Sequence, residues 1–68
     1  MENIGALLKK AKAGDAEAQY KLGDCYYWGE EGVVEDKVEA VKWYRKAAEQ
    51  GNVNAKKALE HISANGAR

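Results

Sequence analysis

The chain carries no excess charge, one cysteine, one histidine, no phenylalanine and no long apolar run. Each shortage removes a class of function. Zero formal net charge removes the basic footprint of a nucleic-acid binder. A lone Cys25 excludes an internal disulfide and makes a cytoplasmic setting the simplest expectation. One cysteine and one histidine cannot supply the four ligands of a closed zinc site, so no metal or cofactor is expected. No apolar stretch approaches the ~20 residues of a membrane span. The opening MENIGALLKK lacks the basic and long apolar regions of a signal peptide.

What remains is a 68-residue chain rich in small side chains, with twelve Ala against four Leu, two Ile and five Val. A core this thin belongs to helices whose backbones approach closely, near the lower end of the usual ~8–10 Å axis spacing. The chain also repeats itself. Ala11, Gly14, Ala18 and Leu22 return as Ala48, Gly51, Ala55 and Leu59, each 37 positions later. Asp15 and Asn52, both helix-starting residues, follow the two glycines. A period of this size marks stacked helix pairs.

Read in order, Ile4, Leu7, Leu8 and Ala11 form one face of a first helix, with Asn3 as its expected cap. Lys9, Lys10 and Lys12 load its last turn, where cations suit the helix dipole. Gly14 stops it and Asp15 starts a second helix reaching Trp28, with Ala18, Leu22, Cys25 and Tyr26 inward. Gly23 sits inside that helix at a cost of roughly 1 kcal/mol, which predicts that a neighbour's bulky ring needs the space. Gly29 to Glu35 reads as a solvated turn with at least one of Val33 and Val34 tucked under it. Gly29 and Gly32 make no phosphate cradle, since strand, lysine and hydroxyl are missing. Asp36 and Glu39 open a third helix, which runs to Gln50 with Ala40, Trp43, Tyr44, Ala47 and Ala48 on its inner stripe. A fourth helix carries Ala55, Ala58, Leu59 and Ile62, ends near Ala64 and stops at Asn65-Gly66. The expected fold is all-α, a short α/α solenoid of two antiparallel helix hairpins.

These residues resemble the Sel-one-like repeat, a relative of the tetratricopeptide repeat. The resemblance rests on AKAG (11–14), on Ala18, Leu22, Gly23, Tyr26 and Gly29, on GVVED (32–36), and on the run from Ala40 through Trp43-Tyr44-Arg45-Lys46-Ala47-Ala48-Glu49-Gln50-Gly51 to Asn52. It covers Ala11 to Leu59. It implies a single domain over 1–68: a half-repeat over 1–13, a complete repeat over 14–50 and a second half-repeat with its tail over 51–68. One departure is the loop. The family's G-x-G-V becomes Gly29-Glu30-Glu31-Gly32-Val33, one residue longer, which predicts a bulge.

The family's members are adaptors in endoplasmic-reticulum degradation machinery and in bacterial signalling. The resemblance therefore implies a non-enzymatic module that meets a protein or peptide partner. Position by position, it places the inner groove on Glu17, Tyr20, Asp24, Tyr27 and Trp28, and on Asn54, Lys57 and His61. On residues alone, Tyr20, Asp24, Tyr27 and Trp28 already form a stripe at i, i+4, i+7 and i+8, apart from the core line. Exposed aromatics beside carboxylates make interface anchors; the plainer reading is that Tyr27 and Trp28 only cover the following loop. By the same resemblance Trp43 packs between neighbouring units.

Catalytic readings are poor. Cys25 points inward and no third group orients His61, so a thiol–imidazole pair is not expected. A cysteine-rich bacterial branch of the family is linked to β-lactams, but it relies on paired cysteines. Ser63 has no elbow motif, and Glu30, Glu31 and Glu35 read as solvated loop carboxylates. The alternative function is a minimal or engineered repeat whose main property is folding and self-association. Nearly bare stack ends, with Leu7 and Leu8 at one end and Leu59 and Ile62 at the other, motivate it.

Overall fold

A computed structural model of the chain describes the backbone of residues 4–66 and the side chains of residues 4–63. The expected cap at Asn3 lies outside the described residues. Four helices follow in order: α1 (Ile4–Lys12), α2 (Ala16–Trp28), α3 (Lys37–Glu49) and α4 (Val53–Gly66). The described residues contain no strand. Each helix packs against the next, giving a slab of 35 × 26 × 16 Å.

The two short joints are built alike, and the sequence repeat is the reason. After α1, the Asp15 amide donates to Lys10 O at 3.1 Å and the Gly14 amide to Ala11 O at 3.1 Å. After α3, Asn52 donates to Ala47 O at 3.1 Å and Gly51 to Ala48 O at 2.9 Å. This pair of bonds caps a helix C-terminus through a residue at positive φ. Gly14 at φ +106 and Gly51 at φ +94 supply it. The next residue then caps the following helix: Asp15 Oδ1 accepts from the Ala18 amide at 2.9 Å, and Asn52 Oδ1 from the Ala55 amide at 2.8 Å. Asp36 does the same for α3, accepting from the Glu39 amide at 3.1 Å.

The longer joint, between α2 and α3, turns over Glu30 to Val33. Val33 N donates to Glu30 O at 3.1 Å across two residues of positive φ, Glu31 at +56 and Gly32 at +83. Both central residues thus take the sense of a type I′ turn, which suits glycine and strains glutamate. Val33 packs onto the core, whereas Val34 is 84% exposed. The Asp36 amide ties the loop back to Tyr26 O at 2.8 Å.

One boundary differs from the sequence expectation. α4 continues to Gly66 rather than ending near Ala64. Asn and Gly are poor helix formers, but their cost of about 1 kcal/mol or less each does not end a helix that nothing else breaks.

The core divides into two clusters. The first joins Leu7, Ala11, Ala18, Leu22, Cys25 and Trp43; the second joins Ala40, Tyr44, Ala47 and Ala55. Tyr26 packs against both. Trp43 is therefore core, set against α1 and α2, with Lys46 Nζ 6.0 Å from its ring centroid. A polar knot centred on the buried Gln19 joins the two short joints. Gln19 Nε2 donates to Ala11 O at 3.0 Å, while Gln50 Nε2 donates to Gln19 Oε1 at 3.0 Å and to Gly14 O at 2.8 Å. It satisfies carbonyls that the end of α1 leaves over.

Candidate interaction groove

Gly23 decides the geometry. A Cβ built at this position would lie 2.6 Å from Cδ1 and 3.1 Å from Cγ of Tyr44. The missing side chain lets the Tyr44 ring lie against α2, as the mid-helix glycine predicts. The ring then carries its hydroxyl to Asp24, whose Oδ1 accepts from it. Tyr20 stacks beside, its ring centroid 5.9 Å from that of Tyr44 and tilted 38°. Burial first, and the Asp24 carboxylate next, push the Tyr44 hydroxyl far above the ordinary tyrosine value. The same two causes raise Tyr20.

Above this floor lies an open groove of about 490 Å³ between α2 and α4. Tyr20, Asp24, Tyr27 and Trp28 form its α2 wall; Asn54, Lys57 and His61 form its α4 wall. So seven of the eight residues singled out in the sequence share one concavity. Glu17 does not line it. Its carboxylate turns toward Lys21, 4.0 Å away one helical turn on, and borders a smaller depression near Lys10 and Asp15.

The end of the α2 wall is aromatic. Tyr27 and Trp28 meet edge to face, centroids 4.7 Å apart at 83°, and Lys37 Nζ sits 4.9 Å from the Tyr27 centroid. Trp28 is 64% exposed. Asp24 is the one carboxylate lining the groove among the described residues, and the protein already uses it to hold Tyr44. The groove is thus aromatic and polar rather than openly acidic.

Three lining residues were not in the sequence-derived set: Tyr44, Ala58 and Ile62. All three read as inner-stripe residues, and they serve both core and groove floor because the groove is shallow. Gly23 was the available signal for Tyr44. Cys25 and His61 are not brought into one site; the thiol belongs to the first cluster and the imidazole to the groove wall. Among the described residues no three His, Cys, Asp or Glu side chains gather as a metal-holding group. No helix among them is long and apolar enough to cross a membrane.

The sequence repeat and the all-helical fold agree with the family the chain matches. A profile of the Sel1 repeat matches residues 16–52, more than half of the chain. The chain belongs to the Sel1 repeat family. A curated relative, the ERAD-associated E3 ubiquitin-protein ligase component HRD3A of Arabidopsis thaliana, is 36% identical over 66 residues. That match takes in 97% of this chain and spans 10% of the relative's length. No solved structure gives a significant match. Sel1 repeats generally mediate protein–protein interaction, and the family is typically a non-catalytic module.

Proposed function

We propose that this Sel1 repeat unit is a non-enzymatic adaptor whose α2–α4 groove holds an extended peptide or loop of a protein partner. The observation that carries the reading is the half-buried Tyr27 with the exposed Trp28, set opposite the polar row of α4 in one concave face. Amphipathic rings beside hydrogen-bonding groups are typical anchors of interfaces. The relative HRD3A is named as a component of a ubiquitin ligase assembly, and an assembling role for this unit is in keeping with that name. Glu17 joins the set as a rim residue. The unit's complete repeat occupies 14–50, with half-repeats over 1–13 and 51–68. A reducing, cytoplasmic setting suits the single buried thiol, and zero net charge argues for protein rather than nucleic-acid partners.

The test compares proteins retained by the immobilised wild-type chain with those retained by the Trp28→Ala variant, which alters an exposed ring. Partners should be lost from the variant while its helical circular dichroism stays near wild type. Identical retention by both would falsify the groove assignment.

Self-association is the second reading, favoured by apolar side chains left open on the outer surface. Val38 is 69% exposed beside Val41 on α3, and Val53 is 60% exposed at the start of α4. Sedimentation velocity decides it: a monomer over a wide concentration range removes this reading.

A further inference from the structure

The groove's two walls differ in what they still have to offer. On α2, the Asp24 carboxylate accepts the Tyr44 hydroxyl and lies beside Tyr20. A cationic partner would have to compete with that buried ring for the oxygen. On α4, Asn54, Lys57 and His61 stand at i, i+3 and i+7, which places them along one helical face. All three are exposed and line the groove. Lys57 makes no ion pair among the described residues, although Glu60 lies three positions on. The asparagine and lysine side chains bring five N–H donors between them. An uncompensated ammonium in a concavity walled by aromatic rings attracts an anion more strongly than one on a flat surface.

Resting on the groove reading, we propose that the occupant is an acidic extended segment of a partner protein. A carboxylate of that segment pairs with the Lys57 ammonium, with Asn54 donating alongside. An apolar side chain of the same segment lies against the Tyr27–Trp28 pair. The donor row sets the register and the aromatic pair excludes water around it. A groove of about 490 Å³ accommodates only a few residues of such a segment.

The test uses a phage-displayed library of random peptides, selected in parallel on the wild-type chain and on Lys57→Glu. The wild type should enrich peptides combining Asp or Glu with an apolar residue. Lys57→Glu should lose the acidic preference. For a selected acidic peptide, Lys57→Gln should weaken binding about fivefold, the scale of one partly exposed ion pair. The Asp-to-Asn form of that peptide should bind wild type and Lys57→Gln equally. Enrichment of neutral or basic peptides that lose affinity with Trp28→Ala overturns the acidic occupant and leaves the groove standing. Peptides indifferent to both Trp28→Ala and Lys57→Gln, or no enrichment at all, overturn the groove together with its occupant.

Discussion

Replacing Gly23 with Ala separates two effects that ordinarily oppose each other. Alanine in place of glycine inside a helix gains roughly 1 kcal/mol. Here the added methyl meets the Tyr44 ring at 2.6 Å from Cδ1, 2.7 Å from Cε1 and 3.1 Å from Cγ. Contact at Cγ means the ring cannot relieve the clash by flipping. The side chain must leave its position, or α3 must move off α2. Overpacking of this kind costs about 1–3 kcal/mol. Moving the ring also breaks the hydrogen bond to Asp24, worth about 1.5–3 kcal/mol because the acceptor is charged. Losses exceed the helical gain, and the net expectation is destabilisation by about 2–4 kcal/mol. For a domain this small that is much of the total stability, and it lowers Tm by roughly 4–8 °C per kcal/mol. Urea titration followed by circular dichroism at low temperature measures it. The partner experiment puts Gly23→Ala into a Tyr44→Leu background, where the ring is gone and the alanine should become neutral or stabilising. A Gly23→Ala chain as stable as wild type, with no change of sign in the Tyr44→Leu background, refutes the reasoning.

Three further outcomes follow from the same physics. Glu31→Gly relieves a non-glycine residue at φ +56 and, after the added freedom of the unfolded chain, should stabilise by about 0.5–1 kcal/mol in the same titration. Gln19→Leu takes one of two donors from the Ala11 carbonyl, which keeps the Gly14 amide, and removes an acceptor from Gln50, so stability should fall by about 1–2 kcal/mol, with faster amide exchange at both short joints. Tyr44 and Tyr20 have folded-state pKa values raised above the ordinary tyrosine value of 10.0. Their stabilisation is complete below that value and is lost as pH rises through it toward the folded values, because only the unfolded chain ionises readily there. Tyr44→Phe should flatten this alkaline loss; an alkaline melting profile unchanged by the substitution counts against a buried neutral hydroxyl.

Much of this architecture is legible in the residues because its signals are local. Gly14-Asp15 and Gly51-Asn52 each specify a stop and a start within two positions, and no distant contact is needed to interpret them. The α2 stripe is equally local, since helical spacing alone aligns Tyr20, Asp24 and Tyr27. What escapes a linear reading depends on where separated segments meet. Gln19 looks like one more polar helix residue until α1 and α3 bring Ala11 O and Gln50 to it. Tyr44 reads as core, and is core at 2% exposure, yet its ring also floors the groove. Glu17 enters the groove set through the resemblance but faces Lys21 instead, one helical turn on. The end of α4 is not legible in Asn65-Gly66, because weak helix formers alone do not stop a helix that runs to Gly66.

Core and groove share material in this fold, and that decides which residues can report on binding. Asp24 lies in the groove and carries a charge, so it invites substitution as a contact residue. Yet removing its carboxylate leaves the Tyr44 hydroxyl without its acceptor in a buried setting, and an orphaned buried polar group costs about 1–3 kcal/mol. Loss of binding by an Asp24 variant would therefore follow from a collapsed floor as readily as from a lost contact. Gly23 and Tyr44 are compromised in the same way. Trp28 and Lys57 are not, since both are exposed on the walls and neither packs against the two clusters of buried residues. Recognition in so thin a repeat is therefore best dissected from the rim inward. A binding defect can be assigned to contact only where the floor formed by Gly23, Tyr44 and Asp24 is left as it stands.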